Sequence, residues 1–166
     1  MNSGKILVAG QDGTHVMKFV GDVRVVLGNA IDNCVAAILD EADFKSIYVD
    51  LTEAEGIDST SLGLLARMSV QAKARCNVVP TIISTNDDIT KILFSMGLER
   101  MFSIIQEPIP EPHDLKEYLA SPGSENSLKR KVIDAHRVLM DINENNQIEF
   151  QDLVQTLENE LNRDSK

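Results

Sequence analysis

Val49-Asp50-Leu51-Thr52-Glu53-Ala54-Glu55-Gly56-Ile57-Asp58-Ser59-Thr60-Ser61-Leu62-Gly63-Leu64-Leu65 is the stretch on which the fold turns. It begins inside a strand-like run, Ser46–Leu51, whose Ile47, Val49 and Leu51 alternate and point inward. A short acidic loop follows, and Asp58-Ser59-Thr60-Ser61 then opens an apolar helix that runs to about Arg75. Asp58 or Ser59 is suited to accept from the free N–H groups of the first helical turn. Gly63 removes a side chain where the helix would approach the sheet, and Leu62, Leu64, Leu65 and Met68 supply the packing face. On spacing alone the segment is a well-capped helix start, a common structural feature.

Upstream, Ile6–Ala9 and Thr14–Val20 are short apolar or alternating runs joined by Gln11-Asp12-Gly13, a hairpin signal. From Leu27 to Asp40 apolar residues recur at three- and four-residue steps, which predicts an amphipathic helix. Downstream, Val78–Ile83 reads as a strand in which Pro80 marks an edge position or an irregularity. Asp87–Met96 reads as a helix that Gly97 terminates, and Met101–Ile105 as a last strand. The order β-β-α-β-α-β-α-β, with right-handed crossovers, predicts an α/β fold: helices over a mostly parallel sheet, with an antiparallel contribution from the opening hairpin.

That unit, residues 1–107, closes near Gln106, before a proline-rich connector at 108–112 that is unsuited to helix or central strand. The remainder, 113–166, reads as an α-helical extension. It comprises a short helix at about His113–Ala120, a turn at Ser121-Pro122-Gly123-Ser124 and a helical pattern from Ser127 to Asn162. Val132, Ala135, Leu139, Ile142, Asn146, Phe150, Leu153, Leu157 and Leu161 keep one stripe nearly in phase. This extension is a second interaction surface, for a further regulator or for self-association with another copy of the chain, or an intramolecular cover; the stripe suits each.

Composition limits what the chain can do. Among 166 residues, 43% are apolar but only 4% aromatic, with no Trp, so the core is aliphatic. The net charge of −10 makes nucleic acid and anionic membranes poor partners. No apolar run approaches the roughly 20 residues of a transmembrane helix, and Ile6–Ala9 is too short for a signal-peptide core. Cys34 and Cys76 read as ordinary buried thiols of a cytoplasmic, reducing compartment. His15, His113 and His136 are scattered and suggest neither a metal cluster nor a catalytic base. No Gly-x-Ser-x-Gly elbow and no evident His neighbour support a nucleophilic Ser59, so the expectation is a non-enzyme without cofactor.

The strand, the Asp58-Ser59-Thr60-Ser61-Leu62-Gly63-Leu64-Leu65 helix start and the order of elements resemble a STAS domain, over roughly residues 4–106. More narrowly, they resemble the bacterial anti-sigma factor antagonists. The following strand Val78–Ile83 and the helix opened by Asn86-Asp87 extend the resemblance. It implies a mixed, mostly parallel STAS-like sheet flanked by helices. It also implies phosphorylation of the serine after the aspartate, here Ser59, by a serine kinase that is often the anti-sigma factor itself. The unphosphorylated protein then binds the anti-sigma factor and frees the sigma factor, and a serine phosphatase resets it. Thr60 is an alternative acceptor, and Ser61 stands where many members have glycine. The implied partner-binding residues are Asp58, Ser59, Thr60, Ser61, Leu62 and Gly63. Because a phosphate is tolerated at a helix N-terminus, the expectation is a switch at the contact surface without refolding. A different STAS role, as an accessory subunit of a lipid or anion transporter complex, needs no phosphorylation.

Asp141-Ile142-Asn143-Glu144-Asn145-Asn146-Gln147-Ile148-Glu149-Phe150-Gln151-Asp152 scans like a calcium loop, with Asp141, Asn143, Asn145 and Asp152 at ligand positions. Asn146 replaces the glycine of the sixth position, and the ligand set brings only two carboxylates. The leading expectation is therefore a helix, or a helix–turn–helix, without metal; a calcium-dependent interaction module is the alternative. Lys129-Arg130-Lys131 reads as a solvated helix start.

Overall fold

Asp12 and Gly13 both take positive φ, 53° and 84°, in the computed structural model, which describes residues 3–121 and 123–164. This two-residue turn matches the twist of the strands it joins, β1 (Lys5–Gln11) and β2 (Thr14–Val23). After a 3-10 turn come α1 (Gly28–Leu39), β3 (Ser46–Ile57), α2 (Ser59–Cys76), β4 (Thr81–Ile83), α3 (Asp87–Ser95) and β5 (Ser103–Ile105). A two-residue strand β6 (Lys116–Glu117) and two long helices, α4 (Glu125–Ile142) and α5 (Glu144–Asp164), complete the described chain.

The sheet order is β5-β4-β3-β2-β1-β6. Strands β2 to β5 pair in parallel, whereas β1 is antiparallel to both of its neighbours. The expected mixed, mostly parallel sheet is therefore present, and its core is largely aliphatic, with Phe19, Phe102 and Phe150 as buried aromatics and Ile6, Met17, Ile47, Leu51 and Leu65 almost fully buried.

Three local expectations are corrected. The acidic segment after Leu51 is strand to Ile57, because β2 continues to Val23 and stays paired beside it through two register shifts. Buried Lys18 of β2 reaches Glu53 at this end. Residues 113–120 contain no helix: Lys116 and Glu117 pair with Val8 and Leu7, so the sheet takes a further edge strand from beyond the proline-rich connector. Backbone pairing to an open edge here prevails over a weak local helical pattern. Lys18 also holds Glu111 of the connector at 2.6 Å. Burial pushes its ammonium down, but Glu111 and Glu53 together outweigh this and raise its pKa above the ordinary lysine value. Pro80 lies just before β4, an interior strand, so its missing N–H interrupts no ladder; its carbonyl still accepts from Ser103 N at 3.0 Å. Of the two forms expected for the tail, the helix–turn–helix is present: the helical pattern breaks at Asn143, which is extended (φ −158°, ψ 167°), so two helices fold back as a hairpin. Of the turn expected at 121–124, Pro122 lies outside the described residues.

Cys34 is buried in α1, and this burial pushes its thiol up to about 12, while Cys76 at the end of α2 is half-exposed. Only the thiolate reacts appreciably with alkylating reagents. Iodoacetamide at pH 8 is therefore expected to label Cys76 in the native protein and to reach Cys34 only after denaturation. Peptide mass mapping of both states checks this, and equal labelling of the two native thiols would contradict it.

Candidate functional site

The site begins with a cap. Asp58 is extended (φ −84°, ψ 167°), and its Oδ1 accepts from Ser61 N at 2.8 Å. Its Oδ2 accepts from Val25 N at 2.7 Å, and its own N–H donates to Val23 O at 3.0 Å. Of the two candidate caps, Asp58 is the one used, and it also ties the start of α2 to the chain leaving β2. Ser59 is thereby placed on the first turn of α2.

Ser59 is half-buried, and its Oγ lies 2.8 Å from Nε2 of His136 on α4. His136 Nδ1 lies 2.6 Å from the carbonyl oxygen of Val132. A carbonyl only accepts, so Nδ1 carries the proton of the neutral ring, Nε2 is the acceptor, and the Ser59 hydroxyl donates. The ring also packs edge-on against Phe150 of α5, with centroids 4.7 Å apart. The expectation that Ser59 has no histidine neighbour, and that His136 is merely scattered, is thus overturned. The two residues lie 77 positions apart, and only the docking of α4 on α2 brings them together.

A serine hydroxyl donating to an imidazole is the contact that activates nucleophiles in many hydrolases. Here a backbone carbonyl, not a carboxylate, faces Nδ1. His136 is only 1% exposed. The contact joins α2 to α4.

The other residues of the expected partner surface are deeper. Thr60, Ser61, Leu62 and Gly63 are all buried, and the Ser61 hydroxyl has no hydrogen-bond partner among the described residues. Accessibility therefore favours Ser59 over Thr60 as an acceptor. Gly63 does not serve the sheet, as its spacing suggested. A Cβ there would stand 2.3 Å from the carbonyl oxygen and 2.7 Å from the Cβ of Ala135, so glycine is required by the close crossing of α4 over α2. The hairpin is secured elsewhere as well. Lys131 pairs with Asp32 of α1 at 2.5 Å, Arg100 donates to Ile142 O at 2.7 Å, and buried Asn146 donates to Met96 O at 2.8 Å. Leu139 and Phe150 join the apolar core of the sheet domain.

The calcium-like stretch does not fold as a loop. Asp141 lies in the last turn of α4, Asn143 caps the backbone N–H of Asn146, and Asn145 and Asp152 lie exposed on α5. Seven residues on one helix separate the last two by about 10 Å along the axis. Short side chains cannot both reach one ion at about 2.3–2.6 Å from that distance. Among the described residues, no group of three or more His, Cys, Asp or Glu side chains is placed to hold a metal ion, and no helix is long and apolar enough to cross a membrane.

His136 and Ala135 are the site residues that sequence reasoning missed. Nothing local links them to Ser59. The available signal lay in α2: Thr60 to Ala66 carry no charged side chain over nearly two turns, and a helix without a charged face needs cover on more than one side.

The family model for the STAS domain matches residues 5–110. No curated protein matches the chain by sequence. Among solved structures, an anti-sigma factor antagonist from Mycobacterium paratuberculosis is similar with a TM-score of 0.56 at 19% identity, over 63% of this chain and 87% of that one. The anti-sigma factor antagonist SpoIIAA in its unphosphorylated form matches with a TM-score of 0.51 at 14% identity, over 61% of this chain and 87% of that one. The Bacillus cell fate determinant SpoIIAA in its phosphorylated form has the same score and identity, over 61% and 92%. At such identities the likeness is one of fold. Helices α4 and α5 lie beyond the residues that the family model matches.

Proposed function

The chain belongs to the STAS domain family, and from that premise we propose that it is a cytoplasmic anti-sigma factor antagonist controlled at Ser59. The unphosphorylated form binds an anti-sigma factor that is also a serine kinase, and so releases a sigma factor. Transfer of the terminal phosphoryl group of ATP forms the Oγ–P bond, breaks the bond to ADP and passes the hydroxyl proton to a base. A serine phosphatase reverses the modification. The observation that carries this reading is the position of Ser59: directly after the Asp58 cap, on the first turn of α2, with its hydroxyl at the rim of the buried Thr60–Gly63 segment.

The electrostatics suit a switch. Phosphate adds about −1.5 to −2 charges beside Asp58, at the end of β3 that carries Glu53 and Glu55. A helix N-terminus accommodates such an anion, but an acidic or apolar partner surface pressed against it does not. Binding is therefore lost on modification, while the sheet persists.

Affinity capture from native lysate with the wild type, Ser59→Ala and Ser59→Asp tests this. A kinase-type anti-sigma factor is expected on the first two baits and reduced at least about tenfold on the third, with phosphate found on Ser59 of the wild type. Recovery of the same transporter subunits on all three baits, with Ser59 never modified, would replace the reading by the accessory-subunit one.

A further inference from the structure

The face of α2 that the antagonist reading assigns to a partner is already occupied by α4. We propose that the α4–α5 hairpin is a cis-acting stand-in for that partner. The chain exchanges between a closed form, in which Ser59 is bonded to His136 and Gly63 is packed on Ala135, and an open form, which offers both to a helix of the partner. Only the partner's identity rests on the antagonist reading; the closure is a property of this chain.

Three observations carry the closure. First, the Ser59 hydroxyl is engaged by Nε2 of a histidine that is 1% exposed and is held from behind by Val132 O and Phe150. A phosphoryl group would put phosphorus and three oxygens where the hydroxyl proton now meets the ring, and that position lies under α4. Second, Gly63 and Ala135 let the two helices cross with backbone against side chain, a fit that admits no added methyl. The groove therefore selects a helix that presents a small residue at the crossing, which defines the kind of element a competing partner must supply. Third, α4 is tied to α5 by Arg137 with Glu158 and Lys129 with Glu160, and the polar contacts that opening would break, beyond Ser59, are identifiable: Lys131 to Asp32, Arg100 to Ile142 and Asn146 to Met96.

The geometry also permits opening. Seven residues, 118–124, separate β6 from α4. An extended chain of that length reaches on the order of 23 Å, about twice the diameter of a helix, provided that Tyr118 and Ala120 leave the core and Ser121 O leaves Asn29 Nδ2, which now hold it.

The experiment uses the full chain and needs no partner. Ser59→Cys is made alone and together with Ala135→Leu, which overfills the crossing from the hairpin side, and alkylation of the introduced thiol is followed by mass spectrometry. The rate is expected to rise at least about tenfold in the double variant. Phosphoserine installed at position 59 by codon suppression is expected to speed hydrogen exchange across α4 to a similar extent, with β2 and β3 unchanged. Equal alkylation with and without Ala135→Leu, or full α4 protection in the phosphorylated chain, would overturn the proposal. Should Ala135→Leu fail to fold, as read by circular dichroism, the phosphoserine arm decides alone. If these arms succeed while the capture experiment recovers no kinase-type partner, the antagonist reading falls and the closure stands.

Discussion

Gly63→Ala is expected to loosen the α4–α5 hairpin even though it improves the helix it sits in. Alanine is favoured over glycine in a helix interior by about 1 kcal/mol, so propensity alone predicts stabilisation. Against this, the new Cβ would lie 2.3 Å from the Ala135 carbonyl oxygen and 2.6 Å from its carbon. Those are backbone atoms and cannot rotate aside; α4 has to move. Overpacking a closed interface costs about 1–3 kcal/mol where side chains can still adjust, and the backbone contact puts this site at the upper end of that range. The net loss falls on the docking of α4, at roughly 1–2 kcal/mol, a factor of about 5–30 in the docking equilibrium. Hydrogen exchange should show α4 and α5 less protected by that factor, with the sheet unchanged or slightly better protected. Uniform protection in the variant would mean that the two helices are not closed on one another in solution.

Asp58→Ala is expected to destabilise the whole sheet domain, because one carboxylate satisfies two backbone N–H groups on different elements. Removing the cap from Ser61 N costs about 0.5–2 kcal/mol. Leaving Val25 N without its partner at this half-buried junction costs about 1 kcal/mol or more. The sum, about 2–3 kcal/mol, lowers the midpoint of thermal unfolding by roughly 4–12 °C for a chain of this size. Asp58→Asn should recover part of the loss: an amide oxygen can accept from Ser61 N, while its amino group turned toward Val25 N would face donor with donor. Thermal scans of the two variants check the order, alanine below asparagine below wild type. If both match the wild type, the carboxylate does not tie α2 to the chain after β2, and its value would lie in partner recognition alone.

The two variants also separate roles that one motif combines. Asp58 acts within the sheet domain, whereas Gly63 acts between that domain and the hairpin. A partner that binds the α2 face should respond to Gly63→Ala through the hairpin and to Asp58→Ala through the domain. Exchange measured element by element distinguishes the two.

Much of the molecule was legible in the chain, because its signals are local. The Asp12-Gly13 turn, the helical period of α1, the Asp58 cap and the Gly97 terminus at φ 82° each depend on a few neighbouring residues. Their order was sufficient to predict the mixed sheet. Local signals failed where a non-local pairing partner decided the outcome. Residues 52–57 became strand because β2 continues beside them, and Lys116-Glu117 became strand because β1 had an open edge. At the candidate site the division is sharper. Sequence alone placed Ser59 behind a capping aspartate at a helix start, since a cap is a matter of adjacent residues. Only the tertiary structure decided that this serine donates to His136 and that Gly63 receives Ala135 instead of the sheet. The apolar stripe of α4 and α5 announced that those helices would bury a face. Periodicity specifies which side of a helix is apolar, not what covers it, and the hydrophobic effect is without direction. The choice of α2 as that cover rests on shape at one crossing, a glycine opposite an alanine 72 residues away, and shape of that kind exists only once the chain has folded.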